Sequence, residues 1–290
     1  MKFLLILTII SSFLLFSFEA RADASIKIGL EWNDNVSTQS TDNFSGISDV
    51  ATVLDFTYEK ELFDRENPLV FSYSYSQSTY DDLTDFNLKS NNIFLSRDFN
   101  ILDKSINILY GFSDTRLAGS KFLNLHTITP TLGIELSSDM YMSSYYNYMN
   151  KKFFTDLGRD SQTNAIGFNL FLFDDKGFYL IGYKFENEDT KNEQYDYDAN
   201  QLNFSRHHEL SMQSKIIMGL KYYDKDYLKT TTSISEKRRD RNKTLYFTNE
   251  YMINDTAVSE FTYEYTDSKS NLASSNYTEN TISFGLIFSF

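Results

Sequence analysis

The sequence predicts an all-β protein: a transmembrane, antiparallel, up-and-down β-barrel of fourteen strands behind a cleaved signal peptide. Three observations carry this. Apolar and polar residues alternate with period two through most of the chain after residue 24. Aromatic residues make up 17% of the sequence and crowd the ends of the alternating segments, while proline occurs only twice in 290 residues. The main apolar run lies at the very start, where an export signal belongs.

That run extends from Phe3 to Phe16 and follows Lys2, with only Thr8, Ser11 and Ser12 interrupting it. Ala20-Arg21-Ala22 and Ala22-Asp23-Ala24 then offer small-x-small cleavage sites. A charged start, a short apolar run and small residues at the cut describe a secretory signal peptide, whereas a membrane-spanning helix needs about 20 apolar residues. Residues 1–22 are therefore read as the signal peptide and 23–290 as one barrel domain.

The strands follow in order. Ile26, Ile28, Leu30 and Trp32 interleave with Lys27, Gly29 and Glu31, and Leu54, Phe56 and Tyr58 with Asp55 and Thr57. Leu69, Phe71, Tyr73 and Tyr75 alternate with serines; Ile106 to Phe112, Ile166 to Leu172, Tyr179 to Phe185 and Ile216 to Tyr222 repeat the pattern. Ile282, Phe284, Leu286, Phe288 and Phe290 close it. Residues two apart share a strand face, so each segment has one apolar and one polar side. A soluble sandwich would bury the apolar side with strands of about 5–6 residues; a membrane barrel turns it to lipid with strands of about 9–11. The segments here are long and their polar faces carry Gly, Ser, Thr, Asn and charge, which favours the barrel.

Short polar breaks fall at Phe63–Pro68, Asn100–Lys104, Ser137–Asp139, Asp174–Gly177, Ser205–Glu209 and Ile253–Thr256. Longer ones fall at Val36–Ser48, Tyr80–Asp85, Leu117–Lys121, Phe154–Ser161, Asp189–Tyr195, Asp224–Arg238 and Ser268–Asn276. These alternate, as periplasmic turns and extracellular loops do, and thirteen connections join fourteen strands with both termini on the periplasmic side. Alternation blurs around Ile93–Phe99 and Asp196–Phe204; without those strands the count falls to twelve. Pro130 predicts a bulge or a locally broken ladder.

Composition excludes several functions. Without cysteine there is no disulfide framework, thiolate metal site or lipidated N-terminus. A net charge of −13 disfavours nucleic acid as a partner. Three histidines, His126, His207 and His208, are too few for a His-rich metal centre, and no G-x-S-x-G motif occurs. The chain is expected to be non-enzymatic and to need no cofactor, with His207 and His208 in a periplasmic turn.

The polar phase of the strands directs Lys27, Glu31, Asp55, Glu59, Glu135, Lys184, Glu186, Glu188, Lys215, Lys221, Glu250, Glu260 and Glu264 into the lumen. A carboxylate-rich, hydrated lumen favours cations; alternatively, Lys and Glu pair across it and hold it shut. Ile282, Phe284, Leu286, Phe288 and the terminal Phe290 form a closing strand of the kind read by the outer-membrane assembly machinery, and serve equally as a lipid-facing surface. Lys237, Arg238, Arg239 and Arg241, with Lys225, Lys229 and Lys243, border the longest expected outer loop. They suit the phosphates of lipopolysaccharide, and also an ordinary solvated loop. These features place the chain in the outer membrane of a Gram-negative bacterium, with membrane lipid and lipopolysaccharide as its surroundings.

Three stretches resemble a known family. Leu30-Glu31-Trp32-Asn33-Asp34-Asn35-Val36 resembles the opening strand of barrels in the surface lipoprotein assembly modifier family and their uncharacterised relatives. Arg238-Arg239-Asp240-Arg241 resembles the step before that family's last hairpin, and Tyr263 to Asn271 followed by Tyr277-Thr278-Glu279-Asn280 resembles its closing hairpin. The resemblance implies a fourteen-stranded barrel that assists movement of lipoproteins or haem-binding proteins to the cell surface. The family carries a periplasmic tetratricopeptide domain ahead of its barrel, for which this sequence shows no counterpart. What carries over is the barrel, working on a lipoprotein substrate or beside a separately encoded periplasmic protein. Transport or export is the leading expectation, and a surface-exposed binding or adhesion barrel with a plugged lumen is the alternative.

Overall fold

The computed structural model describes residues 22–38, 43–63, 67–101 and 104–290. The expected signal segment lies outside these residues except for Ala22, which opens the first strand. Fourteen strands form one closed barrel: β1 (Ala22–Asn33), β4 (Asp49–Leu62), β5 (Leu69–Tyr80), β6 (Leu88–Ile101), β7 (Lys104–Leu117), β8 (Ser120–Ser137), β9 (Met140–Phe153), β10 (Ser161–Asp174), β11 (Gly177–Thr190), β12 (Tyr197–Glu209), β13 (Ser214–Thr231), β14 (Glu236–Asn254), β15 (Ala257–Ser270) and β16 (Tyr277–Ser289). The two remaining short strands, β2 (Ser37–Thr38) and β3 (Asn43–Phe44), make a ribbon inside the first outer loop. Each barrel strand pairs antiparallel with its chain neighbours, and β1 closes the ring on β16 through the ladder Ser25↔Ser289 to Asn33↔Thr281.

Closure answers a solvent problem. Hydrocarbon offers no partner for a backbone N–H or C=O, so a spanning sheet must have no edge. The side chains then divide by parity. Leu30 pairs opposite Phe284 and Ile166 opposite Phe185 and Tyr146, all on the outer face. Leu30 is 59% exposed and Ile166 61% exposed, which only a lipid environment makes favourable. Among the described residues no dry core runs through the molecule. Two small apolar clusters lie at the loop ends of the strands, Val36–Ala51–Tyr80 and Tyr197–Ala199–Tyr227.

Four of the outer loops are built alike. Each carries one 3-10 turn: Thr84–Phe86, Leu157–Arg159, Glu193–Tyr195 or Ala273–Ser275. The residue after that turn is Asn or Asp, and its Oδ1 accepts from the backbone N–H that ends the preceding strand. The bonds are Tyr80 N–H to Asn87 at 2.7 Å, Phe153 N–H to Asp160 at 2.8 Å, Thr190 N–H to Asp196 at 2.7 Å and Ser270 N–H to Asn276 at 2.6 Å. One side chain thus fastens both ends of each loop.

Some expected boundaries move. Leu117–Lys121 is not a long loop but a two-residue hairpin in which Ala118 (φ 50°) and Gly119 (φ 79°) both take left-handed backbone, as a primed turn requires. Asp224–Arg238 is mostly strand: β13 runs to Thr231 and β14 starts at Glu236, with a shift in register between Asp226 and Thr230. The turn expected at Ser205–Glu209 falls at 210–213, so His207 and His208 sit inside β12. The blurred segments are full strands, β6 and β12. At Pro130 the ladder to β9 skips from Ile128↔Tyr148 to Thr131↔Tyr145 with no slip in register, while Pro130 still stands opposite Ile108.

Two substitutions test this architecture. Leu202 is 51% exposed near the middle of β12; Leu202→Arg is expected to destabilise the barrel by about 2–4 kcal/mol in lipid vesicles, read from urea unfolding. At the closing seam, a Cβ on Gly29 would lie 2.6 Å from the backbone oxygen of Phe284. Gly29→Val is expected to cost about 1–3 kcal/mol in the same assay by forcing β1 from β16.

Candidate functional site

The inner face of the barrel is polar and its charges are sorted by wall. Along β15, β16, β1 and β4 the inward register carries Glu260, Glu264, Glu279, Glu31, Asp55 and Glu59, with Lys27 among them. Lys27 Nζ reaches across β16 to Glu260 Oε1 at 2.6 Å. Higher on this wall Glu31, Glu264 and Glu279 face a cavity of about 540 Å³ lined otherwise by Ser, Thr, Asn and apolar groups. Glu279 is held by Asn33 Nδ2 at 2.6 Å and by Ser37 Oγ at 3.1 Å. The adjoining face of β5 is a run of serines, Ser72, Ser74, Ser76 and Ser78, small enough to leave space.

The wall from β9 to β14 is cationic and aromatic. Lys151 Nζ pairs with Glu188 at 2.5 Å, and Glu188 also accepts from Thr163 Oγ1 and the Tyr197 hydroxyl, each at 2.9 Å. Lys184 Nζ pairs with Glu186 at 2.7 Å, and the Tyr223 hydroxyl donates to the same carboxylate at 2.7 Å. Arg238 and Asp240, both buried, pair at 2.7 Å. Lys221 lies 4.9 Å from the centre of the Tyr246 ring and Lys225 lies 4.2 Å from that of Tyr197. These groups enclose a second cavity, of about 570 Å³.

The described residues of the first outer loop border both cavities. Val36 is fully buried against Ala51 and Tyr80, and the backbone bond from Ser45 N–H to Val36 C=O folds the β2–β3 ribbon back. Ser37 then lines the acidic cavity and Phe44 the basic one, with Phe44 packed on Tyr277 at 4.1 Å between ring centres. Leu123 borders both.

Toward the end of the barrel that holds the chain termini, Lys215 pairs with Glu250 at 3.5 Å and Glu135 stands opposite Tyr141. Here the inner face turns aromatic: Tyr141, Phe171, Phe173, Phe178 and His207 pack in sequence, His207 stacking on Phe178 at 4.3 Å. The lumen residues named from sequence all fall on the inward register. Those that the sequence reading missed include Lys151, Asp240 and Glu279, the tyrosines at 197, 223, 227 and 246, and Lys225, which it set beside the outer loop and which the parity of β13 turns into the lumen opposite Asp240. Tyr is ambiguous in a barrel, since it suits an interfacial girdle and a lumen equally; strand parity was the available signal.

The closing strand directs Ile282, Phe284, Leu286 and Phe288 outward. The basic group near the β13–β14 hairpin is divided. Arg238 is not at the surface, because the strand continues through the expected loop and its parity turns this side chain into the lumen beside Asp240. Arg239 and Arg241 face outward, where Arg239 pairs with Asp226 and Arg241 with Asp224 at 3.5 Å; Lys237 stands near the hairpin tip. The histidines are not gathered: His126 faces outward and meets the Tyr110 hydroxyl at 3.0 Å, and His208 lies outward beside Arg206.

A closed barrel with an apolar outer belt and a charged interior is an outer-membrane barrel of Gram-negative type. No family model matches the sequence, and no curated protein matches it. Solved structures do match by fold. A loop-deletion form of OmpT, an outer-membrane protein of Vibrio cholerae, superposes with a TM-score of 0.57 over 93% of this chain and 99% of its own, at 9% identity. An anion-selective porin of Comamonas acidovorans gives 0.55 over 93% and 98% at 6% identity, and OccD3 of Pseudomonas aeruginosa gives 0.50 over 93% and 91% at 9%. The chain is thus similar to porin-type barrels in architecture.

The Lys151–Glu188 pair offers a test of the cationic wall. Lys151→Met leaves a carboxylate that is largely enclosed, with only hydroxyl donors. A loss of about 3 kcal/mol in unfolding free energy is expected, and adding Glu188→Leu should restore much of it.

Proposed function

We propose that this chain is a non-enzymatic channel of the outer membrane that passes small polar solutes. The observation that carries the reading is the lumen: two cavities between walls of opposite charge, with the small serine face of β5 beside them. A barrel that merely anchored surface loops would gain nothing from such a lining, whereas a solute crossing it exchanges water for fixed charges and hydroxyls. Carboxylates dominate the wall from β15 to β4, which supports a preference for cations. In this reading residues 1–22 direct export, the closing strand up to Phe290 is read by the assembly machinery, and Lys237, Arg239 and Arg241 meet lipopolysaccharide. The stretches resembling surface lipoprotein assembly modifiers support a finer version, export of a lipoprotein with a separate periplasmic partner. The inward-folded first loop favours the second reading, a binding barrel whose lumen is stopped by its own ribbon.

Reconstitution into planar bilayers separates the two. Stable conductance steps are expected for a channel, and silence in every lipid composition would overturn it in favour of the plugged barrel. In a salt gradient the reversal potential should report cation preference. Glu31→Gln with Glu264→Gln and Glu279→Gln should reduce that preference several-fold by removing the carboxylates of one cavity; a wild-type potential of the opposite sign would sink the cation reading.

A further inference from the structure

A third sector of the lumen, formed by β5 to β10, differs from the two charged walls. Among the described residues its inward register carries no charge between Lys151 at the outer end and Asp98 and Glu135 at the periplasmic end. Six adjacent strands without a lumen charge stand out in a chain with 27 basic and 40 acidic residues. A small ion gains nothing from such a wall, so the sector suits a solute that carries no charge.

Two kinds of group cover it. The first is hydroxyl and amide. Thr127 Oγ1 donates to Asn147 Oδ1 at 3.1 Å, Asn92 Nδ2 to Ser74 Oγ at 3.0 Å and Asn169 Nδ2 to Ser143 Oγ at 3.4 Å. These bonds leave the Asn147 amide N–H groups and the Ser74 hydroxyl hydrogen for other partners. The second kind is aromatic, and glycines set its posture. A Cβ on Gly111 would lie 2.8 Å from the Phe94 ring, one on Gly167 would lie 2.5 Å from Tyr145 Cζ, and one on Gly133 would collide with the Tyr141 hydroxyl. Each ring therefore lies along the wall over a glycine of the neighbouring strand, with one face seated and the other turned to the bore. Tyr145 and Tyr141 stand about 13 Å apart along β9. Phe171, 5.7 Å from Tyr141 between ring centres, and Phe173 carry the aromatic surface on toward the periplasmic mouth.

Flat apolar faces interleaved with hydroxyls and amides, without charge, match one class of solute. A pyranose ring has a flat face of C–H groups and a rim of hydroxyls that both donate and accept. We propose that the sector from β5 to β10 is a binding track for a neutral oligosaccharide. Its sugar rings lie on Tyr145, Tyr141 and Phe171, and its hydroxyls meet the threonine, serine and asparagine side chains beside them. A charged or purely apolar solute would leave one of the two kinds of group unmatched. Small cations follow the acidic wall, and the sugar follows this one. The inference deepens the channel reading by naming a solute class and rests on that reading for passage, although binding itself requires no current.

Isothermal titration of the refolded full-length barrel, in an amine-oxide detergent that carries no sugar head group, tests the track. Maltotetraose and cellotetraose serve as α- and β-linked probes. Sorbitol supplies hydroxyls without a ring face, and a polyethylene glycol of matching mass supplies bulk without the hydroxyl rim. At least one tetraose is expected to bind saturably at millimolar concentration, about tenfold or more tighter than either comparison. Tyr141→Ala with Tyr145→Ala should weaken it about tenfold, and the same pair changed to Phe should bind more tightly than the Ala pair. Tyr146→Ala, on the outer face of β9, should leave binding unchanged; circular dichroism checks that each variant is folded. No saturable binding of either tetraose, equal affinity for the polyethylene glycol, or wild-type affinity in the Ala pair would each overturn the assignment. Planar-bilayer recordings separate the two readings: conductance with no sugar binding overturns the track alone, and sugar binding with no conductance overturns the channel alone.

Discussion

Everything in this molecule follows from the need to pair each backbone amide within a solvent that offers no partner. A sheet meets that need only by meeting itself, and here the meeting is the ladder between β1 and β16. Once the ring is shut, parity does the rest. One set of side chains faces hydrocarbon and the other faces a space too wide for fourteen strands to fill by packing. The apolar belt and the charged interior are two consequences of one closure.

Within the interior, charge is sorted rather than mixed. Carboxylates gather on the wall that includes the seam, and ammonium groups and phenols on the wall across from it. Most of the acids on the cationic wall are tied to lysine or arginine and to tyrosine hydroxyls, which fixes that wall as a framework. The acidic wall is looser, with Lys27 bridging to Glu260 near its middle. Described residues of the first outer loop meet both kinds of charge, Ser37 on the acidic cavity and Phe44 on the basic one.

Much of this was legible in the sequence. Period-two runs such as Ile26 to Trp32 and Ile282 to Phe288 set both the strands and their outward faces, because alternation and lipid exposure are the same fact. The interior charges followed from the complementary phase. What escaped has physical reasons too. The segment Asp224–Arg238 is so polar that it reads as loop, yet a hairpin that rises clear of the bilayer needs no apolar face, and its strands persist through cross-strand ion pairs such as Asp226 with Arg239. Ala118-Gly119 hides a tight turn because alanine rarely adopts left-handed backbone. The inward course of the first loop depends on Val36 finding Ala51 and Tyr80, a contact between distant residues that no local pattern announces.

The fastened outer loops decide what the cell shows to its surroundings. A protease must draw several residues into extended form before it can cut, and loops of six or seven residues, tied at both ends by one Asn or Asp, give it little to grasp. The exception stands beside them. β13 continues for four residues past the point where Tyr227 meets the first residue of β12, so its hairpin rises roughly 10 Å above a low rim. Among the described residues this hairpin stands above the fastened loops, so a molecule arriving from outside meets its polar strands before it meets the rim.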